Sequence, residues 1–245
     1  MWPLSGKHFT YLLFQCLLVF SSYFVEAQDM AFTVTGYDES EGLASKYVRC
    51  MIQDKKGMLW FGTIEGLSSF DGYRFKMFSK KSGDANSLSS NYVTTLAEGP
   101  DGLIWIGYQQ GGVTSYDPAT GRFRNYPLVD KNNKRFPTHE IRMLHVDMEN
   151  DVWVSIHREG FMRLDKESGQ CTRYSLLPAG TPLDSRRRLY DYATGMSEVK
   201  KGKFWIATAD GLYRFDKKTA KLQAHTFSDS APELYKKRSF HIYAV

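Results

Sequence analysis

The chain is poor in the residues that mark several familiar chemistries. Its 245 residues include 3 cysteines and 8 prolines. So few cysteines exclude a disulfide-stapled framework. Sparse proline beside 15% aromatic residues excludes a disordered or linker-like chain. Neither sign of charge dominates, because the formal net charge of +5 comes from interspersed acids and bases. One basic triplet stands out, Arg186-Arg187-Arg188, and it reads as a solvated loop face rather than a nucleic-acid or phosphate contact. Catalytic and metal signals are missing as well. His139, His145, His157, His225 and His241 are scattered without metal-ligand spacing. No Gly-x-Ser-x-Gly elbow and no phosphate-cradling glycine loop occurs. No metal, cofactor or catalytic residue is therefore expected.

Long apolar runs are also lacking, with one exception. Phe9 to Phe20 is apolar apart from Thr10 and Gln15, follows Lys7 and His8, and leads to Val25-Glu26-Ala27. This reads as an export signal over residues 1–27, cleaved after Ala27. The run is short for a membrane span, so an uncleaved anchor is the lesser reading. Cys16 lies inside it, and the bulky Phe14-Gln15 before it does not suit a lipoprotein site. Cys50 and Cys171 fall at different repeat positions, which favours two separately packed thiols over a bridge.

What the chain does have is a sentence said four times. Met58–Thr63 reads Met-Leu-Trp-Phe-Gly-Thr. It returns as Leu-Ile-Trp-Ile-Gly (Leu103–Gly107), Asp-Val-Trp-Val-Ser (Asp151–Ser155) and Lys-Phe-Trp-Ile-Ala-Thr (Lys203–Thr208). Each copy flanks a Trp with apolar residues and sets a small residue two positions later. In a strand, Trp60 and Gly62 share one face while Leu59 and Phe61 share the other. Both faces are then apolar, as in a strand buried between two layers. A second, ungapped echo follows each Trp. It begins at Gly66, Gly112, Gly160 or Gly211 and ends at Asp71, Asp117, Asp165 or Asp216. Trp60, Trp105, Trp153 and Trp205 set a period of roughly 45 to 52 residues, the range of propeller blades.

Strand and turn signals between the Trp positions predict an all-β propeller of four-stranded antiparallel blades over residues 28–245. The blades lie near 43–78, 88–126, 136–174 and 187–225, and residues 239–245 open a further one. The fourth blade's first strand is placed at Leu189–Ala193. Phe32–Thr35 has strand composition and stands as a candidate for a lent closing strand. A blade buries its two faces only between neighbours. The chain is therefore read as the front part of something longer, with a small closed ring or an oligomer supplying missing blades as the alternative.

The residues that carry these repeats also resemble a known family. Leu88-Ser89-Ser90-Asn91-Tyr92-Val93 with Asp101-Gly102-Leu103-Ile104-Trp105-Ile106-Gly107 is similar to the regulator-propeller repeat of bacterial two-component sensors. So is Gln53-Asp54 through Gly57-Met58-Leu59-Trp60-Phe61-Gly62-Thr63, followed by Gly66-Leu67 and Phe70-Asp71-Gly72-Tyr73. The resemblance is strongest to hybrid sensor histidine kinases. It implies an exported, periplasmic region that senses oligosaccharides and is tethered to the inner membrane through C-terminal parts. Ser155 and Ala207 depart from the family's Trp-x-Gly. No phosphoacceptor-histidine motif, kinase glycine loop or receiver acidic cluster is visible in these residues. The chain itself is thus expected to be neither an enzyme nor a nucleic-acid binder.

Propeller ligands sit where loops of several blades converge. The loops between second and third strands, and the connectors between blades, emerge at one end and differ most among the repeats. Glu65, Tyr108, Gln109, Gln110, His157, Arg158 and Asp210 are the candidates there. They offer amides, charged partners and an aromatic platform for a sugar. The repeating Asp71, Asp117, Asp165 and Asp216 instead read as caps of the turn between third and fourth strands. An oligosaccharide-binding sensor is the preferred function. An exported polysaccharide lyase or glycosidase and a protein-interaction propeller are the alternatives, and a homodimer stays open.

Overall fold

A computed structural model describes residues 34–136, 140–176, 191–209 and 211–225. The export signal, the Arg186–Arg188 triplet, Asp210, His139, His241 and the 239–245 segment lie outside the described residues. The described residues from Tyr37 onward form one compact unit, which carries the repeats.

Four separate four-stranded antiparallel sheets make up that unit, each ordered as in the chain. The first holds β1 (Val48–Gln53), β2 (Leu59–Thr63), β3 (Leu67–Phe70) and β4 (Phe75–Phe78). In the second are β5 (Val93–Glu98), β6 (Ile104–Tyr108), β7 (Val113–Asp117) and β8 (Arg122–Tyr126). The third contains β9 (Ile141–Val146), β10 (Val152–Ile156), β11 (Gly160–Leu164) and β12 (Cys171–Tyr174). The fourth comprises β13 (Ala193–Lys200), β14 (Lys203–Thr208), β15 (Gly211–Asp216) and β16 (Lys221–Ala224). Four up-and-down meanders of this kind, each packed on the next, are propeller blades.

Of the Phe32–Thr35 strand candidate, Phe32 and Thr33 lie outside the described residues and Val34 and Thr35 are not in a strand; the lead-in holds a 3-10 turn at Glu39–Glu41, capped by Asp38. The fourth blade's first strand begins at Ala193 rather than ending there. Ala193 stands twelve residues before Trp205, as Val48, Val93 and Ile141 stand before their own Trp. Gly195 and Ser197, poor strand formers, hide this strand in the sequence.

The Trp strands explain why the sheets stack. Trp60 shares a buried cluster with Leu96, Ile104, Ile106 and Tyr116 of the second blade. Trp105 does the same with Ile141, Leu144, Val152, Val154 and Leu164 of the third. Trp153 packs with Ala193, Phe204, Ile206 and Phe215 of the fourth. Three indoles thus fill three junctions, each pointing toward the next blade. Removing about 200 Å² of apolar surface at 25 cal/mol/Å² stabilises each junction by about 5 kcal/mol, as an upper bound. Trp205 breaks the pattern. It is only half-buried and lines a cleft of about 380 Å³ with Val199, Arg214, Lys221 and Gln223.

The small residue two positions after each Trp makes room for the next sheet. A Cβ on Gly62 would lie 2.5 Å from Val93 Cγ1 of the second blade. On Gly107 it would lie 2.8 Å from Ile141 Cγ2 of the third. Ser155 uses its larger size, because its hydroxyl accepts the Ala193 N–H of the fourth blade at 2.7 Å. The departure from Trp-x-Gly therefore adds an inter-blade hydrogen bond. Gly112 adopts a φ of 83°, and a Cβ there would lie 2.2 Å from the Tyr126 carbonyl. Gly160 meets the Tyr174 carbonyl in the same way. In the first three blades the repeated glycine is thus required by the last carbonyl of the fourth strand, whereas at Gly211 only the left-handed backbone, φ 136°, favours it.

Turns at one end of the blades are tied by carboxylates. Asp71 accepts the backbone N–H groups of Tyr73 and Arg74 at 2.8 and 2.7 Å. Asp117 caps Ala119 and Thr120. Asp165 caps Glu167 and Ser168, while Asp216 caps Lys218 and pairs with Lys203. These bonds to the charged form hold all four carboxyls below the usual range. At the same end Asp54 accepts the Trp60 indole N–H at 2.9 Å, and Asp147 accepts that of Trp153 at 3.0 Å. Gly99 stands at the matching position in the second blade, and the Trp105 indole N–H has no acceptor among the described residues.

Both described cysteines are free thiols, and burial pushes each up to about 12.

Candidate functional site

First strands of neighbouring blades touch one another, β1 with β5, β5 with β9 and β9 with β13. Blades splay apart outward, so these contacts mark the inner edge of the stack. The inner edge also carries a contact that skips a blade. Arg49 of the first blade reaches Glu140 at the start of the third, with Nη2 to Oε1 at 3.7 Å. Only the concave side of the stack brings non-adjacent blades this close.

Around that contact lies a cluster of aromatic and charged groups. Arg142 approaches the other carboxylate oxygen of Glu140 at 2.9 Å. The Arg49 guanidinium stands 6.0 Å from the Tyr92 ring centre, and that of Arg142 stands 5.6 Å from Tyr192. His157 lies beside them, its ring 4.9 Å from Tyr192 and its backbone N–H bonded to the Glu140 carbonyl at 3.1 Å. Tyr47 completes the rim and is 60% exposed. Its carbonyl accepts the Ile64 N–H, as the Tyr92 carbonyl accepts that of Gln109. The geometry follows the strand register. The residue thirteen before each Trp is Tyr47, Tyr92, Glu140 or Tyr192, just ahead of an inner strand. Eleven before each Trp comes Arg49, Thr94, Arg142 or Thr194. Each of the two arginines therefore leans over the tyrosine of the following blade.

The sequence-predicted candidates meet this rim unevenly. His157 belongs to it. Gln109 is exposed and held against Tyr92 by its backbone, and Gln110 follows it in the same exposed turn. Glu65 and Arg158 are exposed on the turns after β2 and β10, and Arg158 takes a left-handed backbone with φ of 69°. Asp210 lies outside the described residues. Tyr108 is a correction. It ends strand β6, is fully buried, and donates its hydroxyl to Thr114 Oγ1 at 2.9 Å. Burial pushes its phenol upward, and it serves the core rather than a surface platform. Reading the loops alone missed Tyr47, Arg49, Tyr92, Glu140, Arg142 and Tyr192. Lining up the four repeats on Trp would have found them.

The rim can hold a polar ligand with apolar faces. Tyrosine rings offer flat apolar surface with a polar tip, guanidinium groups offer forked donors, and Glu140 offers an acceptor. Among the described residues no group of three His, Cys, Asp or Glu side chains is arranged to hold a metal ion.

Four-stranded blades with a buried Trp, a small residue beside it and a Gly–Asp echo define a repeat propeller, and known proteins place it more closely. The family model described as the two component regulator propeller matches residues 42–65 and 87–110. Those two stretches, the first and second Trp repeats, are similar to two-component regulator propeller repeats. It is 35% identical over 81 residues to histidine kinase P4 of Formosa agariphila, a match covering 33% of this chain and 6% of that protein. Among solved structures it is similar to two extracellular domains from B. thetaiotaomicron described as hybrid two component systems, BT3049 and BT4673. The first superposes with a TM-score of 0.64 at 24% identity, over 80% of this chain and 27% of that one. The second gives 0.61 at 20% identity, over 79% and 27%. PorZ, a surface component of the type-IX secretion system of Porphyromonas gingivalis, shares the fold at 0.57 and 18% identity, over 84% and 31%. The chain spans about a quarter to a third of the length of these structures and far less of the kinase. Among the described residues no helix is long and apolar enough to cross a membrane.

Proposed function

We propose that this chain is the ligand-sensing propeller region of an exported two-component sensor, and that an oligosaccharide binds at its inner rim. In a full-length sensor it would lie in the periplasm, tethered at the inner membrane, and kinase chemistry would belong to other parts. The single observation that carries the reading is the rim itself. Tyr47, Tyr92 and Tyr192 stand at one repeat position on three blades, beside Arg49, Arg142, Glu140 and His157. Exposed aromatic faces next to forked donors suit stacked, hydroxyl-rich rings better than a flat protein surface. Cleavage of a glycoside by paired carboxylates needs two acids about 5 to 9.5 Å apart. Among the described rim residues Glu140 stands alone, which favours binding over catalysis.

A glycan array followed by titration calorimetry on the full chain tests the proposal. Saturable heat with sugars recovered intact is the expected result. Shortened products after incubation would replace the sensor reading with an enzyme. A blank across the array would remove the oligosaccharide.

A further inference from the structure

Resting on the oligosaccharide reading of the rim, we infer that the ligand is anionic, a sugar carrying a carboxylate or a sulfate ester that docks on Arg49 and Arg142. The two guanidinium groups share one carboxylate. Arg142 takes the near oxygen of Glu140 at 2.9 Å, while Arg49 stays at 3.7 Å from the other. That longer distance is beyond hydrogen-bonding range. Arg49 is 46% exposed and Arg142 39%, so their remaining donors face the concave side. A guanidinium presents five N–H groups in a plane, which one shared carboxylate does not saturate.

The local charge points the same way. Arg49 and Arg142 face Glu140 as two cations to one anion. Lys46, its ammonium 5.6 Å from the Tyr47 ring centre, acts on the Asp38 and Glu39 carboxyls instead. On the adjoining turns Glu65 and Arg158 occupy the same repeat position and offset each other in formal charge, and Asp210 at that position lies outside the described residues. The described rim therefore holds more cations than anions beside its tyrosine faces. A neutral sugar would use the faces and leave the charge unspent, whereas an acidic sugar uses both. A planar carboxylate and a sulfate ester both accept from a guanidinium fork, so the geometry selects anionic sugars as a class.

The class is tested with three hexasaccharide probes on the full chain at low salt: hexagalacturonate, which carries carboxylates only, a κ-carrageenan hexamer, which carries sulfate esters only, and cellohexaose. One or both acidic probes bind at least about tenfold tighter than cellohexaose, the size expected of one charge-assisted bond set. Comparing the first two separates carboxylate from sulfate recognition. Arg49→Gln weakens the acidic probe by about tenfold and leaves the thermal melt unchanged. Glu140→Gln removes the competing carboxylate and tightens the acidic probe, an effect that a purely structural role for these residues would not produce. Equal affinity for acidic and neutral hexamers would overturn the anionic assignment and leave the oligosaccharide reading standing. Failure of all three probes to bind, with the array also blank, would overturn both. Weaker acidic binding in Glu140→Gln with an intact melt would show that Glu140 is part of the recognition surface, and would also overturn the assignment.

Discussion

The two ends of each blade are built to different rules. At the end holding the turns between first and second and between third and fourth strands, the four repeats agree. Asp71, Asp117, Asp165 and Asp216 cap the same turn, and Asp54 and Asp147 hold an indole from the same position. Where one position repeats and its partner is backbone, the residue serves the scaffold. At the opposite end the copies diverge. Ile64, Gln109, His157 and Ala209 share one position, as do Glu65, Gln110 and Arg158. The tyrosines of the inner rim sit at this end, their side chains partly exposed. Repetition at the capped end marks what stacks the blades, whereas the proposed binding end sets a repeated tyrosine position beside turns that diverge.

The sharpest way to break this contrast is to strike the scaffold where it is most buried. Trp105 is fully buried between the second and third blades. Trp105→Ala should cost about 3–5 kcal/mol in a denaturant titration, the usual cost of emptying a large aromatic site. A loss below about 1 kcal/mol would mean that the indoles do not wedge the blades.

A second blow falls on the junction of the third and fourth blades. There the Lys217 ammonium meets Asp147, Glu149 and Asp151 at 2.7, 2.8 and 2.6 Å. Its side chain is 11% exposed and that of Asp147 fully covered. Burial alone would lower the Lys217 ammonium, yet the three carboxylates hold it above its ordinary value. Burial likewise works against the Asp147 carboxylate, but its bonds from Lys217 and Trp153 hold it below the usual range. A depressed carboxyl stabilises the fold above its unfolded pKa of about 4, and that contribution disappears as pH falls through the lower folded value. Lys217→Met should cost about 3 kcal/mol near neutrality, because it strands a buried carboxylate. It should also flatten the loss of melting temperature between about pH 4 and pH 2. A wild-type acid limb in the variant would show that Lys217 does not hold that charge.

The smallest expected effect falls on the rim. Tyr47→Ala should change stability by no more than about 0.5 kcal/mol, since the side chain is mostly exposed. It should nevertheless weaken oligosaccharide binding in calorimetry. A large loss of stability with unchanged binding would invert the contrast between the two ends.

How much of this was readable from residues alone follows from the same contrast. Period, blade number and the Trp strands were legible because Trp, Gly and Asp recur at fixed offsets. The cost of a misplaced indole or an overfilled glycine site enforces those offsets. The fourth blade's first strand is hard to place from residues because Gly195 and Ser197 carry no strand signal, and its pairing with the Trp205 strand, from Ala193 with Thr208 to Lys200 with Lys203, fixes it. Tyr108 looked like a loop residue because it precedes Gln109-Gln110, yet its hydroxyl is satisfied inside the blade by Thr114. The rim was illegible residue by residue. A tyrosine thirteen positions before a tryptophan means little until four inner strands stand side by side. Trp205 repeats the motif with Ala207 in the glycine's place, yet it shares no buried junction with a further sheet among the described residues.

The contact between Arg49 and Glu140 carries a mechanical consequence. Stacked repeats ordinarily transmit force only to their neighbours. This pair instead forms a chord beneath an arc of three blades, so its length and the opening angle of that arc are one variable. A change in that opening angle would show first as a change in this one separation.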